Sequence, residues 1–288
     1  MKYEMECSRQ GTFKGTDGLE LYYQSWHPEG QVRAILVIVH GLGGHSGLYG
    51  NIVQHLIPKN YAVYAFDLRG NGRSPGQRGY INAWTEFRED LRAFVQLIKT
   101  QYPEQPLFLL GHSVGAVIVL DYVLRSPSES DLQGVIALAP ALGKIGVPPF
   151  KLALGRLLSR VWPRFSLSTS IDLSTASSDP AVIAAYAQDP WRHTQGNARF
   201  ATEYLATVAW IQEHAADLQV PLLILHGGAD QVALPEGGCA FFQRVTILDK
   251  ERREYPGVYH EIQNDRNYQE MLTDLDNWLE RHLPPQAP

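Results

Sequence analysis

Short apolar runs alternate along this chain with amphipathic, helix-length segments, the pattern of a mostly parallel sheet covered by helices. The strand-like runs are Leu19–Trp26, Ala34–Val39, Tyr61–Asp67, Leu107–Leu110, Gly134–Ala139, Val220–Leu225 and Arg252–Tyr255. Ala34–Val39 and Leu107–Leu110 show no polar alternation, as expected of strands buried on both faces. Between them, Trp84–Thr100 sets Phe87, Leu91, Phe94, Val95 and Ile98 at helical spacing. Arg266–His282 does the same with Met271, Leu275, Trp278 and Leu279, and Pro284-Pro285 stops it. At 288 residues the chain fits one large α/β domain with an insertion.

The rhythm breaks between Ala141 and Leu218. No strand-like run occurs there; Leu152–Val161 and Asn197–Trp210 look helical, while Pro148-Pro149, Pro163 and Pro180 interrupt. The sheet pattern resumes at Val220, so the chain must return to the same sheet. The expected organisation is a core made of residues 1–140 and 219–288, with 141–218 inserted as helices.

Charge and composition narrow the function classes. A formal charge of −5 with no basic run argues against nucleic acid as a partner. Residues Met1–Glu6 carry no apolar leader core, and no run of about 18 apolar residues appears, so a soluble, cytoplasmic protein is expected. Of the two cysteines, Cys7 and Cys239, the expected state is reduced, with a disulfide between them as the alternative.

The strongest local motif is Gly111-His112-Ser113-Val114-Gly115, directly after the run Pro106–Leu110 and before the helix-like Ala116–Arg125. A Gly-x-Ser-x-Gly turn between strand and helix is a nucleophile elbow. The turn leaves no room for Cβ atoms at Gly111 and Gly115, and it pushes the Ser113 oxygen above the sheet. The following helix aims its positive end at a developing oxyanion. Acyl transfer also needs two backbone N–H groups at that oxyanion. Val114 supplies one candidate. Leu42, in His40-Gly41-Leu42-Gly43-Gly44 after the strand Ala34–Val39, supplies the other. His40 reads as a loop-fixing side chain rather than a base.

An acid and then a histidine should follow the serine. Asp230 stands after Val220–Leu225, at the strand end where ligand sites of open α/β sheets lie. His260 follows the last strand-like run, in Tyr255-Pro256-Gly257-Val258-Tyr259-His260-Glu261. Asp217 and Asp249 read as solvated, and His193, His214, His226 and His282 as structural or exposed. No His-Glu-x-x-His and no paired-cysteine arrangement is present, so no metal and no cofactor is implied.

From about Gly15 to His282 the chain resembles the monoacylglycerol lipases and related lysophospholipases of the α/β-hydrolase superfamily. The resemblance rests on His40–Gly47, on Ala65-Phe66-Asp67-Leu68-Arg69-Gly70-Asn71-Gly72-Arg73-Ser74, on the elbow, and on Ser170–Ser174 and Ala185–Pro190 in the insertion. It implies the triad Ser113, Asp230 and His260, oxyanion donors at Leu42 and Val114, and a helical cap over residues 141–218 that receives an acyl chain. The implied reaction is ester hydrolysis through an acyl-enzyme, most naturally of monoacylglycerol to fatty acid and glycerol. The implied partner is a small-molecule lipid ester, with transient membrane-surface contact through the cap and a monomer or homodimer as the assembly. Asn71 stands where a histidine is usual, Ala116 replaces a second glycine, and Gly44 and Leu48 replace more polar residues. These departures spare the triad but bear on substrate choice, because the loop near Leu48 and the cap are expected to shape the pocket. The alternatives are a lysophospholipase, a short- or medium-chain carboxylesterase, an aminopeptidase, or a ligand-binding homologue without turnover.

Overall fold

The computed structural model describes residues 9–127, 131–143, 149–168 and 173–284. Cys7, Pro148, Pro285 and the stretch Ser170–Asp172, all named above, lie outside them. An eight-stranded sheet forms the centre. Its strands are β1 (Arg9–Lys14), β2 (Glu20–Trp26), β3 (Ala34–Val39), β4 (Tyr61–Phe66), β5 (Leu107–His112), β6 (Gly134–Leu138), β9 (Leu222–Gly227) and β10 (Lys250–Tyr255), in the order β1-β2-β4-β3-β5-β6-β9-β10. β1 and β2 pair antiparallel, as do β2 and β4; all other neighbours are parallel. The mostly parallel α/β sheet expected from the apolar runs is therefore present, and each run named above lies within two residues of the observed strand ends.

Burial follows the two-residue period of a strand. Ile35, Val37 and Val39 face one layer while Leu36 and Ile38 face the other, all fully buried. The first layer receives α2 (Thr85–Gln101), α3 (Val114–Arg125) and α7 (Pro235–Arg244). The second receives α1 (Gly50–Leu56) and α8 (Tyr268–Arg281), with Trp278 fully enclosed. α3 is apolar on nearly every side and is buried from Val114 to Leu124, as such a helix must be.

Between β6 and β9 the chain forms α4 (Pro149–Val161), β7 (Ser166–Ser168), α5 (Pro180–Gln188), β8 (Gln195–Asn197) and α6 (Ala198–Glu213). Two expectations are corrected here. A short antiparallel β7·β8 pair occurs where no strand was expected; three residues are too few for a periodic signal. Pro180 does not interrupt a helix but opens one: the Asp179 side chain accepts from Ala181 N–H and the proline takes the first turn, where its missing N–H costs nothing. Likewise, β1 lies outside the expected runs, because only Phe13 of its six residues is buried.

The parallel order reverses between β3 and β5. From β3 the chain moves outward to β4, then crosses back to β5 on the other side. The crevice beyond their C-terminal ends is the place where open α/β sheets bind ligands. The loops after β3, β5, β9 and β10 all open on that edge, and they carry Leu42, Ser113, Asp230 and His260.

Candidate active site

Strand β5 ends in Gly111-His112, and Ser113 turns the chain into α3 at φ 56° and ψ −119°. A non-glycine residue in that region is strained, and such strain persists where the surroundings over-determine it. They do so here. A Cβ at Gly111 would stand 2.4 Å from Gly115 O, and one at Gly115 would stand 2.1 Å from Val39 O. The two glycines therefore let helix and strand approach closely enough to force the elbow. Ser113 N–H donates to Leu138 O at 2.9 Å and its carbonyl accepts from Ala116 N–H at 3.1 Å, so the turn is pinned to the next strand.

The loop after β3 runs against this turn: a Cβ on Gly41 would lie 3.0 Å from Ser113 Cβ. His40 is buried, with Leu68 N–H donating to its Nε2 at 3.0 Å, so the hydrogen sits on Nδ1 and bonds Gly41 O at 2.7 Å. Burial lowers it to about 4 despite the nearby Asp67 carboxylate, leaving it neutral and fully engaged. Its place is that of a loop-fixing residue. Val114 is the first residue of α3, and its N–H has no partner within its own helix. Leu42 N–H makes no hydrogen bond among the described residues.

Asp230 lies in the loop after β9, with Ala229 N–H donating to Val258 O at 2.9 Å and tying that loop to the one after β10. Asp230 Oδ1 accepts from Val232 N–H (2.8 Å) and Ala233 N–H (2.9 Å). Oδ2 accepts from His260 Nδ1–H at 2.7 Å and from His226 Nε2–H at 3.2 Å. Burial alone would raise this carboxyl; the hydrogen bonds from His226 and His260 prevail and hold it well below the usual carboxylate range. His260 is 5% exposed, and its ring lies 5.0 Å from that of His112, the neighbour of Ser113. His112 Nε2–H points to His260 O at 3.4 Å while Tyr49 O–H donates to Nδ1 at 3.2 Å. Burial lowers His112 to about 4, so it too is neutral.

The sheet edge thus gathers the elbow, the glycine loop and a buried His–Asp pair. Several other residues named in the sequence lie elsewhere. Asp217 is exposed, and His282 bonds Asp249 at 3.0 Å at the far end of α8. His214 stacks on Trp210, one turn earlier in α6. His226, read only as structural or exposed, is fully buried and touches Asp230 directly. Leu48 packs into the layer of α1 and α8. Beside His260 the sequence reading passed over a buried polar cluster. Glu261 accepts from Tyr186 O–H at 3.0 Å and from Gln263 Nε2–H at 2.7 Å, with Arg192 Nη1 at 3.8 Å. Tyr186 lies in the Ala185–Pro190 stretch already singled out, which was the one signal pointing to it. Among the described residues no three His, Cys, Asp or Glu side chains are grouped so as to hold a metal ion.

A family model described as serine aminopeptidase, S33 matches residues 30–267. The chain belongs to that family. With it the chain is a serine hydrolase of the α/β-hydrolase fold. It is 33% identical over 274 residues to the monoacylglycerol lipase of Mycolicibacterium smegmatis, covering 94% of this chain and 97% of the relative. The crystal structure of the Paleococcus ferrophilus monoacylglycerol lipase is similar at a TM-score of 0.84 and 32% identity, over 92% of this chain and 100% of that one. A soluble variant of the Saccharomyces cerevisiae monoglyceride lipase, solved with a substrate analog, gives a TM-score of 0.86 at 25% identity, over 99% and 98%.

Proposed function

We propose that this family member hydrolyses carboxylic esters of lipids, foremost monoacylglycerol, with Ser113 as nucleophile, His260 as base and Asp230 as the group that orients the base. The single observation carrying the reading is the 2.7 Å bond from His260 Nδ1–H to a buried, ionised Asp230 at the sheet edge where the Ser113 elbow stands. Because Nδ1 holds its hydrogen toward Asp230, Nε2 is the nitrogen left to take a proton. As the Ser113 oxygen attacks the ester carbonyl, His260 Nε2 takes its proton, and the N–H groups of Leu42 and Val114 stabilise the oxyanion. Asp230 stabilises the imidazolium that forms. His260 then protonates the leaving glycerol alcohol, and water repeats the cycle on the acyl-enzyme. The relatives named as monoacylglycerol lipases support the head group.

Residues 141–218 act in this proposal as a cap over the sheet edge. Leu157, Val161 and Trp162, at the end of α4, are 57%, 75% and 60% exposed. Arg156, Arg160 and Arg164 are exposed beside them, with no acidic residue between Pro149 and Ser168. A basic, apolar helix end of this kind suits transient contact with a lipid surface, from which a monoacylglycerol must be drawn. No helix among the described residues is long and apolar enough to cross a membrane.

The test is hydrolysis of a monoacylglycerol series and matching p-nitrophenyl esters by wild type, Ser113→Ala and His260→Ala. The reading expects the wild type to cleave medium and long monoacylglycerols and both variants to be inactive. Cleavage of short esters alone would support a carboxylesterase instead, and unchanged activity in Ser113→Ala would overturn the mechanism.

A further inference from the structure

Gly43 follows directly on Leu42; its carbonyl is held from the segment between β6 and β9, and its N–H from Asn71 in the loop after β4. His193 N–H donates to Gly43 O at 3.1 Å. Gln195 N–H donates to His193 Nδ1 at 3.1 Å, so the imidazole hydrogen sits on Nε2 and bonds Asn71 Oδ1 at 2.9 Å. That same Asn71 oxygen accepts from Gly43 N–H at 3.1 Å. The Asn71 amide is oriented by its own Nδ2–H, which donates to Arg69 O at 2.9 Å. Contact is close: with φ +70°, a Cβ on Gly43 would stand 1.9 Å from His193 O. On the far side of the loop, His45 Nε2–H donates to Asp189 Oδ2 at 2.7 Å.

We propose that Asn71 and His193 are positioning residues that clamp the Leu42–Gly43 turn, so that the segment between β6 and β9 sets the placement of an oxyanion N–H. The proposal rests on the ester-hydrolase reading above and on Leu42 as a donor. It accounts for an asparagine at position 71, where a histidine is the commoner residue of the Arg-Gly-His-Gly pattern. An amide oxygen has two lone pairs and accepts from Gly43 N–H and His193 Nε2–H together. The bare nitrogen of a neutral imidazole has one lone pair and satisfies one of them. Burial keeps His193 neutral, lowering it to about 4, so the orientation of its hydrogen is stable through the neutral range. Oxyanion donors act through placement, and a shift of about 1 Å costs about 100-fold in rate. A clamp on the neighbouring peptide therefore acts on the transition state rather than on ground-state binding.

The experiment compares wild type with Asn71→Leu, His193→Ala, His193→Gln and the double variant Asn71→Leu/His193→Ala. It measures kcat and KM on a p-nitrophenyl ester, affinity for an alkylboronic acid that forms a tetrahedral adduct on Ser113, and Tm. In Asn71→Leu and His193→Ala, kcat should fall about 10-fold or more with KM within about twofold, and boronate affinity should fall in parallel. The double variant should lose no more than the worse single one, because both residues act through Gly43. His193→Gln keeps an N–H donor near the Nε2 position and should recover most of the loss. Unchanged kcat, a fall in kcat with boronate affinity intact, or a loss that His193→Gln fails to recover would each overturn the clamp while leaving the hydrolase reading in place. A wild type inert toward every ester would overturn that reading first, and the clamp with it.

Discussion

His226 Nε2 lies 3.2 Å from Asp230 Oδ2, the same oxygen that accepts the Nδ1 hydrogen of His260 at 2.7 Å. The Asp230 carboxylate is therefore shared between two imidazoles, one at the sheet edge beside the Ser113 elbow and one fully enclosed behind it. His226 Nε2–H also bonds Ala233 O at 2.7 Å, which fixes its ring independently of Asp230. A charge-assisted bond of this kind both aims a carboxylate and keeps it ionised.

His226→Leu removes that second donor and should lower kcat about 10-fold, the scale of one hydrogen bond to a charged group. Asp230→Asn should cost far more, about 10⁴-fold, because the amide no longer selects the tautomer that leaves His260 Nε2 free. Steady-state rates on one soluble ester, measured beside circular dichroism to confirm folding, separate the two effects. Equal losses in both variants would mean that His226 does more than hold Asp230.

Strand positions were legible because β3, β4, β5, β6 and β9 are buried on both faces and read as unbroken apolar runs. Ser113 and Asp230 follow such runs, so their placement at one edge came with the sheet; His260 follows β10, where only Tyr255 of six residues is buried, and was legible through the order serine, acid, histidine. β1 escaped notice because an edge strand with only Phe13 inside has no pattern to read. The contacts of His193 with Asn71 and of His45 with Asp189 join residues 122 and 144 positions apart. No local spacing encodes them. His226 directly follows the run Val220–Leu225, but its bond to Asp230 depends on the turn Gly227–Ala233, whose geometry composition does not specify.

Acid sensitivity should come first from histidines. Burial lowers both His40 and His112 to about 4, against about 6.5 in an unfolded chain. Between those values the unfolded state binds more protons, so their stabilising contribution is complete above pH 6.5 and is lost as pH falls toward 4. Asp230 titrates below this window: its contribution is present above about pH 4 and is lost only as pH falls through its depressed folded value. The urea midpoint should drop between pH 6.5 and 4.5. In His112→Phe the slope in that range should be shallower by up to about 1.4 kcal/mol per pH unit. An unchanged slope would mean that His112 is charged in the folded protein.

The exposed end of α4 should act on lipid surfaces and not on chemistry. Leu157→Ser/Trp162→Ser removes two exposed apolar side chains while leaving the sheet edge untouched. Co-sedimentation with anionic phospholipid vesicles should weaken at least about tenfold, since burial of each such side chain contributes about 1.5–3 kcal/mol. Hydrolysis of a soluble short-chain ester should stay within about twofold of wild type. A parallel loss on the soluble ester would place these side chains in the path of the substrate rather than at a membrane.

Two glycines with opposite surroundings test whether the elbow is forced by packing. At Gly115 a new Cβ would stand 2.1 Å from Val39 O and 2.6 Å from His40 O, both backbone atoms that cannot rotate away. Gly115→Ala must lift α3 from β3, moving Val114 N–H and Ser113 together, at a cost of about 2 kcal/mol or more. At Gly155, inside α4, nothing lies within 4 Å of the same added atom. Gly155→Ala should raise stability by about 0.5–1 kcal/mol through lower backbone entropy in the unfolded chain. Paired denaturation curves and ester kinetics read both. The expected result is a large fall in kcat together with reduced stability for Gly115→Ala, and wild-type kinetics with a higher urea midpoint for Gly155→Ala. Full activity in Gly115→Ala would mean that α3 can shift without disturbing Ser113, and the packing account of the strained serine would fail.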